Sequence, residues 1–284
     1  MNTFKARPKY LLPPLLVLAA STLCALTLTH TYGETFFTVT PFTETGSGPA
    51  LNALYFVVAI GVAGTMIYLV TKTRLVKALK WLTALVYALV AFTLTDVYFT
   101  AGLALAGWGE LLMVTPLIAA TYATAVMVAL YAVLGRRRNL LRGVTLAVSA
   151  GLGALLGYAI PTLSAVAILL ALSAYDVFAV FKGPLGKMAK SLGDEEGGLS
   201  AFIFTYGELK IGLGDLVFYS MLTTHALIFF GVAPFLGAVA GILIGVYLVL
   251  KMVERHRMFP GLPFALILGL ALTFLIHGLQ LTLT

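Results

Sequence analysis

The sequence predicts an all-α polytopic membrane protein with nine transmembrane helices, its N-terminus cytoplasmic and its C-terminus outside. Three observations lead there. Of 284 residues, 61% are hydrophobic and 10% charged, whereas an average soluble domain is nearer half apolar and a quarter charged. Apolar runs long enough to cross a bilayer recur along the chain, separated by Gly, Pro or clustered charge. Every Lys and Arg falls in alternate breaks between those runs.

The first run, roughly 10–29, follows the basic stretch MNTFKARPKY. A basic start and an apolar run also describe a cleaved signal peptide, but this run is as long as a full span. Its STLC carries leucine where a lipoprotein site needs a small residue, so a retained first helix is expected. Further spans follow at roughly 51–71, 80–99, 111–134, 140–160, 162–181, 211–231, 233–251 and 262–281. The tightest break is YAIPT, where Pro161 parts spans five and six. Gly153 and Gly157, and then Gly237, Gly241 and Gly245, place small residues on one helix face, as close packing within the bundle requires. No internal repeat of the kind found in many transporters is present.

Orientation follows from the cations. Lys5, Arg7 and Lys9 precede span one; Lys72, Arg74, Lys77 and Lys80 part spans two and three; Arg136, Arg137, Arg138 and Arg142 part four and five. Lys182, Lys187, Lys190 and Lys210 part six and seven, and Lys251, Arg255 and Arg257 part eight and nine. All 18 basic residues thus share one side, which the positive-inside rule makes cytoplasmic. The opposite loops hold Glu34, Glu44 and Glu110 and no Lys or Arg. An eight- or ten-span count breaks this alternation. The net charge of +7 is therefore topogenic and does not point to nucleic acid. Cys24 is the only cysteine, so there is no disulfide framework or thiolate metal site.

Few ionisable residues remain at membrane depth: Asp96, Asp176, Asp215 and His225, with His277 near the outer end. Asp176 lies six residues before Lys182, about 9 Å along a helix. Asp215 lies five residues after Lys210, about 7–8 Å if that stretch is helical. Because spans six and seven run in opposite directions, the two aspartates share a depth just below the cytoplasmic surface. Two carboxyl groups in a low-dielectric site do not readily both ionise. Such a pair can hold a water, deprotonate it with one member and protonate a carbonyl oxygen or leaving amine with the other. Peptide hydrolysis fits this chemistry. Proton or cation transport fits it too, since intramembrane carboxylates mark ion pathways, and so does a structural pair bonded to backbone.

The flanks bear on the choice. Gly212 and Gly214, either side of Leu213, let another backbone approach or let a helix end beside Asp215. Hydrolysis needs such a place, because a helical substrate must unwind before its peptide bond can be reached. Pro260 and Pro263 in MFPGLPFALILG keep the start of the last span irregular.

Tyr175–Asp176, Gly212–Asp215 (GLGD) and Pro260–Pro263 (PGLP) resemble the YD, GxGD and PAL motifs of the presenilin and signal peptide peptidase family, in the family's order on spans six, seven and nine. The span count and the cytoplasmic N-terminus are also similar to presenilin. The motifs cover the C-terminal half; the first five spans match only in number. The resemblance implies an intramembrane aspartyl endoprotease with Asp176 and Asp215 as the catalytic pair. It also implies substrate-binding roles around Tyr175, Gly212, Leu213, Gly214, Pro260, Gly261, Leu262 and Pro263. Gly261 stands where the family has alanine. Residues 1–160 then form an N-terminal bundle of spans one to five, and 161–284 a catalytic bundle of spans six to nine, within one membrane domain. Implied partners are transmembrane helical substrates and the lipid bilayer, with no cofactor, no metal and no nucleic acid; nothing indicates accessory subunits.

The stretch between spans six and seven, about 29 residues, balances four basic and four acidic residues. Its LSAFIFTY is apolar and β-prone enough to pair with an extended substrate, or else to lie on the membrane surface. It is much shorter than the loop cut when presenilin is activated, so an uncut single chain is expected. No HExxH is present, the four histidines offer no metal-ligand spacing, and the serine of GSG at 46–48 lacks a base. His225, about 15 Å outward of Asp215, reads as structural, and Asp96 as solvated near the outer end of span three. Tyr175 either hydrogen-bonds near the pair or fills an interhelical gap.

Overall fold

The computed structural model describes residues 5–33, 38–73, 76–135, 137–181, 202–255 and 259–283. Among them nine helices are long and apolar enough to cross a membrane. They are α1 (Leu12–Tyr32), α2 (Gly48–Lys72), α3 (Val76–Leu105), α4 (Thr115–Leu134), α5 (Arg138–Ala159), α6 (Thr162–Phe181), α7 (Leu213–Phe230), α8 (Val232–Arg255) and α9 (Leu262–Leu283). The protein is an integral, multi-pass membrane protein. Arg74, Arg136, Lys182, Lys187, Lys190, Arg257 and Glu34 lie outside the described residues, as does 182–201, on which the expectation of an uncut loop rests.

The all-α expectation has one local exception. Strands β1 (Ile203–Tyr206) and β2 (Leu209–Gly212) form an antiparallel hairpin, Ile203 facing Gly212 and Tyr206 facing Leu209. The β-prone FIFTY segment thus finds its partner within the chain, turning at Gly207, whose φ of 61° suits a residue without Cβ. Lys210 to Gly212 is therefore strand, and the helical spacing expected between Lys210 and Asp215 does not hold.

Helix ends show which termini share a face. The Tyr158 hydroxyl donates to the Gly33 carbonyl at 2.9 Å, joining the ends of α5 and α1. At the opposite face Lys80 Nζ donates to the Leu134 carbonyl at 2.9 Å, placing a cation where the last carbonyls of α4 lack helical partners. On that same face Tyr10, 4% exposed, lies in the core, with its ring near the Gly207 turn.

Both glycine stripes pack within the chain, as expected. A Cβ at Gly153 or Gly157 of α5 would lie 2.4 Å from the Val217 carbonyl oxygen or 2.5 Å from that of Met221, both on α7. Gly237, Gly241 and Gly245 of α8 meet the α9 backbone in the same way, at Leu272, Leu268 and Ala265. One apolar core runs through this packing, including Leu169 of α6, Leu216 and Met221 of α7, Ile242 of α8 and Leu266 of α9.

The acidic loop residue Glu44 is a structural clasp. Its carboxylate accepts from the amides of Leu163 (3.0 Å) and Ser164 (3.2 Å) and from the Ser164 hydroxyl. These amides belong to the first turn of α6 and have no helical partner, and the negative charge suits that helix end. Asn52, fully buried, extends the clasp by donating to Ser164 Oγ at 2.8 Å. Glu44→Ala is expected to cost about 1–3 kcal/mol of stability, read as an earlier unfolding midpoint in detergent.

His225 has the structural role expected of it: 2% exposed, it reaches the Gly157 carbonyl at 2.9 Å and Thr162 Oγ1 at 3.1 Å. Asp96 is exposed, as expected, but lies further from the helix end than the apolar run suggests. The third helix continues nine residues past it to Leu105, and its carboxylate accepts from the Tyr122 hydroxyl of α4.

Candidate active site

Asp176 lies five residues before the end of α6, about 7–8 Å along the axis. Asp215 lies in the first turn of α7, on the same face of the bundle. Its position follows from the local sequence. Gly212 closes β2 and caps α7 in an extended conformation (φ −64°, ψ 140°). Asp215, three residues on, is where an acidic side chain can reach back to the capping residue's amide, and its carboxyl interacts with the Gly212 backbone. A Cβ at Gly212 would sit 3.5 Å from Asp215 Oδ2, so the glycine leaves the carboxyl ordinary contact distance.

The segment 259–261 supplies the opposing wall. Pro260 is buried and Gly261 half-buried. The irregular stretch is shorter than the two prolines suggest, because α9 begins at Leu262 and Pro263 sits in its first turn, where a missing N–H is tolerated. The Leu262 amide donates to Asp176 Oδ2 at 3.1 Å. A Cβ at Gly261 would lie only 2.9 Å from Asp215 Oδ2. The Gly261–Leu262 peptide unit is thus bonded to Asp176 and lies beside Asp215, and the two carboxyl groups are close enough to interact electrostatically. Both aspartates are half-buried and Gly214 is exposed.

Other expected residues are placed differently. Leu213 turns into a second apolar cluster with Tyr87 and Val148. A Cβ at Gly61 or Gly64 of α2 would lie 3.7 or 3.8 Å from the Tyr175 hydroxyl, so the ring fills the gap those glycines leave. Tyr175 also lines an open apolar groove between α2 and α6, with Ala53, Val57, Ala167, Ala171 and Phe178.

Tyr219 was not foreseen. It is 3% exposed, its hydroxyl donates to the Gly261 carbonyl at 3.2 Å, and it lies within electrostatic range of both carboxyls. The available signal was spacing: Tyr219 is four residues after Asp215, on the same helix face. Among the described residues, no group of three or more His, Cys, Asp and Glu is placed to hold a metal ion.

A solved structure of a presenilin family intramembrane aspartate protease superposes with a TM-score of 0.64, covering 95% of this chain and 98% of that one. The chain has the presenilin fold. Identity to that structure is 21%, so the likeness establishes architecture. Presenilin-B of Dictyostelium discoideum is 30% identical over 116 residues, which are 38% of this chain and 24% of that relative. The chain thus matches about a quarter of the relative's length. No family model matches. In this chain's version of the fold, Gly261 lies close beside Asp215.

Proposed function

We propose that the protein is an intramembrane aspartyl endoprotease that hydrolyses peptide bonds in membrane-spanning helices near their cytoplasmic ends. One observation carries the reading: two carboxyl groups from consecutive spans converge on a single peptide unit, Gly261–Leu262, where each is half-buried. Such a pair holds a water between its members. One carboxylate takes the water's proton as the oxygen attacks the scissile carbonyl, and the other carboxyl gives its proton to the carbonyl oxygen. Collapse of the tetrahedral intermediate transfers a proton to the leaving amine and restores one proton to the pair. Water is the only co-reactant.

The face bearing the basic residues is cytoplasmic by the positive-inside rule, which puts the N-terminus inside and the C-terminus outside. Substrate approaches sideways through the α2–α6 groove, whose small residues admit a helix and whose Tyr175 adjoins Asp176. The unwound segment passes Gly212–Gly214 and can pair with a hairpin edge of β1–β2, since backbone groups at membrane depth need partners. Residues 161–284 supply the reacting groups, and 1–160 supply the frame.

The test mixes purified protein with a single-span peptide, alongside Asp176→Asn and Asp215→Asn. The expected result is cleavage by the parent and a loss of about 10²-fold or more in either variant, the scale of a lost general acid or base. Intact peptide in every tube, together with acid-dependent ion flux in liposomes, would instead establish a transporter built on the same carboxylates.

A further inference from the structure

We propose that Tyr219 is a positioning residue for Asp176, acting through the Gly261–Leu262 peptide unit; this rests on reading Asp176 as a catalytic carboxyl. The peptide unit is planar, so its carbonyl and its amide N–H point in opposite directions and turn together. Tyr219 holds the carbonyl end at 3.2 Å and Asp176 accepts from the N–H end at 3.1 Å. Rotating the plane breaks both bonds at once.

Position 261 is where such rotation is easiest. Glycine places little restriction on its own backbone, and no side chain there holds the plane. A side chain is disfavoured because its Cβ would lie 2.9 Å from Asp215 Oδ2. Asp176 interacts with the backbone amides on both sides of Gly261, and the Tyr219 hydroxyl restrains the carbonyl from outside the segment. The ring, 3% exposed, is fixed in the core beside Leu216 and Leu222, so the hydroxyl presents a rigid donor. Tyr219 and Asp215 lie one helical turn apart on α7. One helix thereby carries one carboxyl and sets the amide that orients the other.

The experiment uses full-length protein in lipid nanodiscs, labelled with carbonyl-13C glycine and 15N leucine, so that only leucines following glycine give signals. The Leu262 amide is assigned by its loss in Leu262→Ile. In Tyr219→Phe, which keeps the ring, the Leu262 amide proton is expected to move in the same direction as in Asp176→Asn. The other glycine–leucine signals stay in place and report an intact fold. Tyr87→Phe, which removes a buried hydroxyl bonded to Thr145, leaves Leu262 unmoved. With the single-span peptide, Tyr219→Phe lowers kcat about tenfold, the scale of one lost hydrogen bond, and leaves KM within about twofold. An unshifted Leu262 signal in Tyr219→Phe overturns the proposal, as does a change in KM with kcat intact. If the parent itself cleaves nothing, the protease reading fails, and the Leu262 signal alone decides whether Tyr219 orients the amide at Asp176.

Discussion

Replacing Gly153 and Gly157 together by alanine is expected to destabilise the bundle by about 2–6 kcal/mol, from overpacking of about 1–3 kcal/mol per site. A Cβ at Gly153 would meet Ser220 Cβ and the Val217 carbonyl oxygen, each at 2.4 Å. At Gly157 it would meet the Met221 carbonyl oxygen at 2.5 Å and Thr224 Cβ at 2.9 Å. Backbone carbonyls have no rotamer into which to retreat, so α5 and α7 must move apart. Since α7 carries Asp215, cleavage of the single-span peptide should be lost with the stability. Ser220→Gly added to Gly153→Ala should restore only part, because the Val217 contact persists. Gly143→Ala serves as control: it lies in the same helix with nothing within 4 Å of its would-be Cβ. It should be neutral or stabilising by up to about 1 kcal/mol from helix propensity. Unfolding midpoints in detergent separate the cases, and a double variant as stable as the parent would refute the backbone-contact account.

The second large effect is expected from Gly261→Ala, a change toward the residue that the resembling family carries. The new Cβ would stand 2.9 Å from Asp215 Oδ2 and 3.9 Å from the Tyr219 hydroxyl. Here the obstructed atom is the end of a side chain, so the carboxyl turns aside and the fold survives. Displacing a reacting group by a fraction of an ångström to an ångström costs up to about 10²-fold in rate. Cleavage should therefore fall by about 10–10²-fold while the unfolding midpoint stays near that of the parent. Parent-like cleavage would show that Asp215 works equally well from a shifted position.

Much of the scaffold was legible because the bilayer constrains a sequence strongly. Apolar run length and the alternation of Lys and Arg were enough to expect nine spans and to place Asp176 and Asp215 at one depth. The glycine stripes at 153–157 and 237–245 were readable for the same reason, since helices approach closely only over small residues. The hairpin was partly hidden: FIFTY shows β propensity, but its partner, Leu209–Gly212, reads equally well as the start of an apolar helix. Tyr219 was hidden altogether. A tyrosine four residues from an aspartate is an ordinary helical pair until the Gly261 carbonyl, forty-two residues later, arrives against it. Tyr175 shows the opposite case, a residue flagged by its neighbour whose hydroxyl rests over Gly61 and Gly64 of α2. Depth and helix face are local properties of sequence, whereas the direction of a side chain across an interface depends on the partner's backbone.

The peptide unit beside the two carboxyls belongs to the last of the nine helices, and this gives the protein an order of assembly. A chain inserted as far as α8 holds both aspartates yet has neither the Leu262 amide for Asp176 nor the Gly261 wall for Asp215. During synthesis the two aspartates are thus present without these contacts until α9 arrives. Entry of α9 is the event that completes these contacts, so on the proposed protease reading the capacity to cut a helix arrives only with the last span.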